Sequence, residues 1–325
     1  MLTLPYLYFV GMQQLAKQLS GEERIYLGVR PYGFHAGNMS SLVVYPMLLC
    51  EELQKVGKEP RFTFYLFIND WEQDALDGPD LKKFPFNVFP KKTTLQYTPF
   101  KKLLSVVDYW EPVIAAEVRV VEKYFPHVRV RTVRNSSMKH HPIMKAYLLK
   151  TLQFPDEIAA ILKETSKFDV SGSPLHFAMA VCNACKQARG ETRVIGKPRN
   201  ERIWHFCQYC HTETEGHYED FDYWFYHKPL AVPRLEIFHI DVCITGNDHL
   251  VESDFTVREK LIKLFGALVN PFKTLYGPLV VGANNSKMSK SKKNDVSVGY
   301  QTMRQLIEKH KYAEVVKVGM IQNIL

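Results

Sequence analysis

Apolar positions along this chain fall into short continuous runs, typical of buried strands, that alternate with longer segments of helical periodicity. We predict strands at 24–30, 61–68, 127–133, 236–244 and 277–282, and helices at 39–56, 108–124, 138–166, 252–267 and 297–311. The apolar stretch from Leu2 to Met12 lacks a basic leader and a small-residue cleavage site, so it predicts an amphipathic helix and no signal peptide. Strands that alternate with helices indicate an α/β fold with a doubly wound parallel sheet.

The first predicted strand runs through a turn into the helix 39–56 by way of His35-Ala36-Gly37-Asn38. Gly33 allows a ligand to approach the backbone, and Gly37 leaves room for a nucleotide in the first helical turn. The helix start offers unpaired amides to phosphate, and the His35 and Asn38 side chains are able to donate to phosphate oxygens. The alternative is an ordinary loop histidine at 35 with Asn38 as the helix N-cap.

A second motif, Lys287-Met288-Ser289-Lys290-Ser291, lies near the end of the sequence. Its two ammonium groups suit a triphosphate, because they neutralise the charge that builds up as pyrophosphate leaves, while backbone and hydroxyl donors hold the oxygens. Lys292 and Lys293 follow, so a solvated basic turn is the alternative. Together the two motifs indicate ATP chemistry.

Four of the six cysteines form two pairs at the same short spacing, Cys182 with Cys185 and Cys207 with Cys210. Two such turns close a tetrahedral shell of thiolates around zinc, with no open position for water, so we predict a structural Zn²⁺ site. Two redox-active dithiols are the alternative, and a nearby histidine (His205, His211 or His217) could replace one cysteine. Cys50 and Cys243 lie in apolar segments and are predicted to pack in the core.

The strand 61–68 ends in Asn69-Asp70-Trp71, at the edge of the sheet where open parallel folds bind ligands. Asp70 is therefore a candidate partner for the amine of an amino-acid substrate, or else an ordinary turn aspartate. In the strand 127–133, basic side chains alternate with valines, which predicts either a basic face or an exposed sheet edge.

The composition is that of an ordinary globular enzyme: 325 residues, 46% hydrophobic and 23% charged. The net charge of +8 is compatible with RNA, ATP or a phosphorylated acceptor and does not discriminate among them. No segment approaches the roughly 20 apolar residues that span a bilayer. We therefore expect no membrane association and a cytoplasmic location.

The His-x-Gly-Asn and Lys-Met-Ser-Lys-Ser motifs, in this order, resemble the two signatures of class I aminoacyl-tRNA synthetases. The cysteine pairs and Gly246-Asn247-Asp248-His249 make the catalytic part of the class I type of lysyl-tRNA synthetase the nearest resemblance. The likeness implies a nucleotide-binding sheet in two halves, 1–133 and 229–325. These halves are separated by a helical connective segment, 134–173, and a zinc-ribbon insertion, 174–228.

The same resemblance implies that an amino acid, with lysine as a candidate, is activated by ATP and Mg²⁺ as aminoacyl-AMP. It places His35, Asn38, Lys287 and Lys290 on the phosphates. Gly33, Gly37, Met288, Ser289 and Ser291 would bind the nucleotide, and Asp248 and His249 would line the ribose or amino-acid pocket. If lysine is the substrate, Asp70 or Glu72 would meet its ammonium group.

The chain departs from the family pattern in two places. The turn from Pro31 to His35 is one residue shorter than usual, and only residues 292–325 follow the lysine loop, which predicts no anticodon-binding domain. We therefore expect the acceptor to be a small amine, a thiol or a carrier protein more readily than tRNA. The alternatives are a truncated or paralogous synthetase that acts on tRNA, and a non-catalytic amino acid or nucleotide sensor.

Overall fold

The computed structural model describes residues 6–9, 11–31, 33–71, 99–100, 104–165, 177–196, 200–246, 254–281, 298–309 and 315–317. The strands are β1 Tyr6–Phe9, β2 Arg24–Val29, β3 Thr63–Ile68, β4 Pro99–Phe100, β5 Leu104–Ser105, β6 Arg129–Arg134, β7 Ala178–Val181, β8 Gly190–Ile195, β9 Arg202–Cys207, β10 Glu213–His217, β11 Asp222–Phe225, β12 Val242–Gly246, β13 Phe272–Gly277, β14 Leu279–Val281 and β15 Val315–Lys317. The α-helices are α1 Met12–Gln18, α2 Ala36–Asn38, α3 Tyr45–Lys55, α4 Val106–Val118, α5 Val120–Tyr124, α6 Pro142–Gln153, α7 Pro155–Thr165, α8 His227–Phe238, α9 Asp254–Phe265 and α10 Tyr300–Lys309. A π-helical segment, Met39–Val44, joins α2 to α3.

The described strands include a six-stranded sheet in the order β1-β13-β12-β2-β3-β6, in which every neighbouring pair is parallel. Strands β2, β3 and β6 follow in chain order in one direction across the sheet, whereas β12 and β13 follow in the other direction. The order therefore reverses between β2 and β12, and open α/β sheets bind ligands at the carboxyl ends of the strands at such a point.

Side-chain alternation along the strands divides the core between the two faces of the sheet. On β2, Ile25 and Leu27 face a core shared with α1, α10 and the helical segment 36–55, which we call the motif helix. Tyr26 faces a second core shared with α6 and α8. The same alternation on β3 places Phe64 on the first face and Phe67 on the second. Helices therefore cover both faces, and the predicted doubly wound α/β sheet is confirmed.

Several predicted elements are confirmed with small shifts at their ends. The strands at 24–30, 61–68 and 127–133 are β2, β3 and β6, and the last of these lies at the edge of the sheet. The helical segment 138–166 forms α6 and α7, which are separated at Phe154, next to the proline that predicted a break.

Two predictions were wrong, and one strand was missed. Residues 6–9, expected in a helix, form β1, since this aromatic run pairs with β13 and the helix begins only at Met12. The strand predicted at 236–244 begins at Val242, because α8 continues to Phe238 and ends at His239 in the left-handed conformation. A separate strand, β13, precedes the apolar segment expected at 277–282 and was missed, since polar Lys273 and Thr274 interrupt its apolar pattern.

The cysteine-rich segment forms a small antiparallel sheet, β8 to β10, beside the ladder of β7 and β11. One contact of this segment with the large sheet is formed by Trp71, in the turn after β3. The Trp71 ring packs against Tyr223 and Phe225 of β11, and its carbonyl accepts the Phe225 amide at 3.1 Å. None of the described helices has the length and apolar character needed to cross a membrane.

Candidate active site and metal centre

The turn that follows β2 begins at the point where the strand order reverses. Gly33 has φ +88°, a backbone conformation that residues with a Cβ adopt at a cost. A Cβ at this position would lie 3.6 Å from the Trp110 ring, which is an ordinary contact. The backbone angle, and not lack of space, therefore requires glycine at 33.

His35 is the N-cap of the helical segment that continues from Ala36 to Lys55. Its Nδ1 accepts the Gly37 amide at 3.1 Å, so a neutral imidazole in this position carries its proton on Nε2. The helix start adds partial positive charge from its amides. The imidazole and the helix start therefore have the chemistry that suits an anion. The N-cap is His35 and not Asn38, which lies within α2 and is almost fully buried.

The motif helix starts directly over the ends of β12 and β13. The Ser41 hydroxyl donates to the Gly37 carbonyl at 2.9 Å. A Cβ built on Gly277, the last residue of β13, would lie 3.9 Å from Ser41 Cβ and 3.4 Å from the Thr245 carbonyl of β12. The fold therefore brings the carboxyl ends of β2, β12 and β13 together around the start of this helix.

Several predicted site residues lie outside the described part of the chain: Asp248, His249, Lys287, Met288, Ser289, Lys290 and Ser291. Gly246, the last residue of β12, pairs with Gly277 of β13 at the same edge of the sheet as His35. The lysine loop follows β14 and precedes α10.

An ion pair fastens α10 to the motif helix. Arg304 donates from both terminal nitrogens to the Glu51 carboxylate of α3, at 2.6 and 2.8 Å. The Tyr300 hydroxyl and Glu308 also bind this guanidinium. A bidentate arginine–carboxylate pair fixes orientation as well as distance. The helix that follows the lysine loop is therefore held directly against the helix that follows His35.

Asp70 is fully buried at the end of β3. Its carboxylate accepts the Ser136 hydroxyl at 2.5 Å and the Ser136 amide at 3.2 Å, which ties β3 to the turn after β6. Burial raises the pKa of this carboxyl, and the bonds from Ser136 oppose that effect. In this structure Asp70 binds the neighbouring turn, and its proposed contact with a substrate amine stays a prediction.

Sequence reasoning missed a buried polar cluster beside Asp70. Arg234 of α8 is 3% exposed. It donates to the Asn69 and Asn135 side chains that follow β3 and β6, at 2.5 to 3.1 Å, and to the Tyr26 hydroxyl of β2 at 2.8 Å. A signal was present, since Arg234 is a charged residue within an apolar run. The helix that carries Arg234, α8, was not predicted, because a strand was expected at 236–244.

The four paired cysteines form one cluster in which all the sulfur atoms lie within 4.8 Å of one another. The Sγ atoms of Cys182 and Cys210 are 3.6 Å apart, as are those of Cys185 and Cys207. Tetrahedral zinc with Zn–S bonds of about 2.3 Å needs sulfur atoms separated by nearly this distance. The donor set therefore fits a closed, four-thiolate metal site.

The two halves of this cluster have the same backbone geometry. The backbone amide of Lys186 donates to the Cys182 carbonyl at 2.8 Å, and the backbone amide of His211 donates to the Cys207 carbonyl at 2.9 Å. Lys186 and His211, each just after the second cysteine of a pair, both have φ of 57°. The Thr212 hydroxyl, 3.1 Å from Cys210, lowers the pKa of that thiol to about 6. Two turns of the same geometry thus bring their cysteine sulfur atoms together in one cluster.

The remaining candidate ligands belong elsewhere. His205 is buried with its Nδ1 2.9 Å from the Thr192 hydroxyl, and His217 pairs with Glu201. Neither joins the four-cysteine cluster of the described residues. Cys50 and Cys243 are fully buried in the two cores of the large sheet, which confirms their predicted packing role.

No protein-family model and no curated protein matches this sequence. Solved structures that resemble the fold include the Leishmania major tyrosyl-tRNA synthetase in complex with tyrosinol, at a TM-score of 0.39 and 14% identity over 87% of this chain and 31% of that one. A tyrosyl-tRNA synthetase from Aeropyrum pernix gives a TM-score of 0.38 and 14% identity, covering 92% of this chain and 65% of that chain.

A glutamate tRNA ligase from Elizabethkingia meningosepticum, in complex with its amino acid, gives a TM-score of 0.40 and 12% identity over 86% of this chain and 57% of that chain. These similar structures are all aminoacyl-tRNA synthetases, and this chain spans about a third to two thirds of their lengths. Structural similarity at such low sequence identity does not identify a function, so the function is argued from the residues of the site.

Proposed function

We propose that this chain is a class I synthetase-like enzyme that uses ATP to activate an amino acid as aminoacyl-AMP. The observation that carries the proposal is the position of the Gly33–Gly37 turn. It starts a helix at the reversal of strand order, with the His35 imidazole capping that helix. Phosphate groups bind at helix starts of this kind, and ligands bind at this edge of open α/β sheets.

In the proposed reaction, a carboxylate oxygen of the amino acid attacks the α-phosphorus of ATP. A new P–O bond forms, the bond to the bridging oxygen of the β-phosphate breaks, and pyrophosphate leaves with the electron pair. Such transfers depend mainly on positioning and charge stabilisation. His35 and Asn38 would donate to the phosphates, Lys287 and Lys290 would neutralise the leaving group, and Mg²⁺ would accompany the nucleotide.

The remaining binding roles follow the same assignment. Gly33, Gly37, Met288, Ser289 and Ser291 would contact the nucleotide, and Asp248 with His249 would line the ribose or the amino-acid pocket. The four cysteines would hold a structural Zn²⁺, since four thiolates leave no position for a reacting water. Because β11 packs against Trp71 and pairs with β7, the strand that leads into Cys182, zinc would hold this segment beside the sheet edge where the substrate would bind.

For the acceptor we propose a small amine, a thiol or a carrier protein. The sequence motifs also suit a tRNA acceptor, so tRNA is the second candidate. A protein that only senses amino acids would bind its ligands without releasing pyrophosphate, which separates it from both.

The test is amino-acid-dependent exchange of labelled pyrophosphate into ATP across all twenty amino acids, with Lys287→Ala as the loss variant. Lys293→Ala is the matched control, because it removes an ammonium from the same segment outside the motif. We expect exchange with one amino acid or a close pair, lost in Lys287→Ala and retained in the control. Exchange that survives equally in both variants would overturn the role of Lys287. Absence of exchange with every amino acid would overturn adenylation itself.

A further inference from the structure

Gly28 is exposed although it belongs to a central strand of the sheet. Its chain neighbours Leu27 and Val29 are buried on the face of the motif helix. Gly28 lies on the opposite face with Tyr26, one residue before the carboxyl end of β2. The second face of the sheet is therefore open at Gly28, close to the turn that carries His35.

The Tyr26 ring lies directly against this opening. A Cβ at Gly28 would fall 2.8 Å from the Tyr26 hydroxyl oxygen and 2.9 Å from its ring. Both distances are too short for a real contact, so the glycine is what allows the tyrosine to lie along the strand. Its hydroxyl is consequently held next to an exposed backbone position.

The hydrogen bond to this hydroxyl comes from a buried cation. Arg234 donates to the Tyr26 oxygen at 2.8 Å, so the phenolic oxygen is the acceptor in this bond and its own proton is left to donate. Among the described residues, the Tyr26 hydroxyl makes no other hydrogen bond. The Tyr26 O–H group is therefore positioned, and polarised, as a donor at the opening.

Arg234 forms no ion pair with any of the described residues. Its hydrogen-bond partners Tyr26, Asn69 and Asn135 are all neutral, and its guanidinium also lies over the Phe67 ring at 5.4 Å. Buried charges in proteins are ordinarily paired, because leaving water is costly. A buried cation that has no ion-pair partner among the described residues makes the opening favourable for an anion.

On the basis of the activation reaction proposed above, we propose that the opening at Gly28 binds the side chain of an acidic amino acid, glutamate or aspartate. The substrate's α-carboxylate must reach the nucleotide beyond Val29, and β-strands rise about 3.3 Å per residue. A side chain that extends back by one or two residues therefore ends beside the Tyr26 hydroxyl. There its carboxylate would accept the Tyr26 proton in the field of Arg234.

The same geometry disfavours lysine. A terminal ammonium would face the Tyr26–Arg234 pair, where it meets a cation, and Asp70 already binds Ser136 with both its oxygens. The neutral side-chain amide of glutamine or asparagine would accept the hydrogen bond from Tyr26 without the attraction to the charge of Arg234. The order of affinity expected is therefore acidic, then amide, then basic.

The deciding measurement is isothermal titration of the purified full chain with L-glutamate, L-aspartate, L-glutamine and L-lysine, without ATP. Tyr26→Phe is the test variant, because it removes one hydroxyl and keeps the ring. Tyr65→Phe is the matched control, since Tyr65 is the register partner of Tyr26 on β3 and lies on the same face. We expect an acidic amino acid to bind at least about tenfold tighter than lysine, and Tyr26→Phe to lose about tenfold or more, as for a bond to a charged group.

Tighter binding of lysine or of a neutral amino acid, no binding of any of the four, or unchanged binding in Tyr26→Phe would overturn this assignment. The pyrophosphate-exchange assay distinguishes failure of this binding-site assignment from failure of the proposed activation reaction. Binding of an acidic amino acid without pyrophosphate exchange would support the binding site at Gly28 and contradict the proposed activation reaction. Pyrophosphate exchange that depends on lysine would support the activation reaction and contradict the acidic binding site at Gly28.

Discussion

His35 and Gly37 constrain each other at the start of the motif helix. The His35 Nδ1 accepts the Gly37 amide at 3.1 Å, and a Cβ on residue 37 would lie 3.0 Å from the imidazole Cε1. The hydrogen bond that fixes the imidazole thus depends on the absence of a side chain two residues later. Backbone and ring form one unit, in which the ring presents Nε2 as its donor.

Gly37→Ala is expected to displace the imidazole and to lower the rate of pyrophosphate exchange. Loss of one preorganised donor to a transition-state anion costs about 3 to 4 kcal/mol, or about a hundredfold or more in rate. The control is Gly299→Ala, because a Cβ at 299 meets nothing within 4 Å. An exchange rate in Gly37→Ala equal to that of the control would contradict the role given to His35.

The cysteine cluster predicts one tightly bound Zn²⁺ per chain, measured by inductively coupled plasma mass spectrometry on protein purified without added metal. Cys207→Ala should reduce the zinc content severely and lower the melting temperature, since metal affinity contributes directly to folding of such modules. Cys50→Ala is the matched control: it removes one buried thiol away from the cluster and should retain full zinc. Full zinc in Cys207→Ala would contradict the site.

The left-handed residues of the cysteine turns predict a stabilising substitution. Lys186 has φ of 57°, a conformation that costs a residue with a Cβ about 1 to 2 kcal/mol, whereas glycine adopts it freely. Lys186→Gly should raise the free energy of unfolding by about 0.5 to 1 kcal/mol, after allowing for the greater freedom of glycine in the unfolded chain. Lys186→Ala loses the same amine but keeps the Cβ, so it should gain nothing in urea denaturation.

Asp70 predicts a dependence of stability on pH. Burial raises the pKa of this carboxyl in the folded state above the ordinary value of 3.8, so the folded protein holds the proton more tightly than the unfolded chain. The resulting stabilisation is fully present below pH 3.8 and is lost as the pH rises through the folded-state pKa.

Asp70→Asn removes this titration, so the stability of the wild type relative to the variant should fall as the pH rises from about 4 towards neutrality. Urea denaturation at a series of pH values measures the difference. Asp156→Asn is the control, because Asp156 is an exposed residue in the first turn of α7. A difference between wild type and Asp70→Asn that does not vary with pH would show that the carboxyl is not perturbed.

The sequence by itself determined the elements whose pattern is local. The runs at 25–27 and 64–68 are apolar throughout because both faces of a parallel sheet are covered there. Pro155 divides a helical segment, since proline donates no amide and disfavours the helical conformation of the residue before it. The cysteine spacing likewise predicted a cluster, since two turns of this length present their thiolates in one direction. Gly33 was identified from the turn alone, and its positive φ gives the reason.

Only the tertiary structure decided where these parts meet. Residues 6–9 are a strand because β13 lies beside them, although β13 itself is a mixed polar and apolar segment that becomes a strand between β1 and β12. Asp70 binds Ser136, and Arg234 binds residues that follow two different strands, so neither set of partners is visible in sequence spacing. Hydrophobic periodicity reports which face of an element is buried. The partner of a buried charge is set by strand order and helix placement, which depend on contacts across the whole chain.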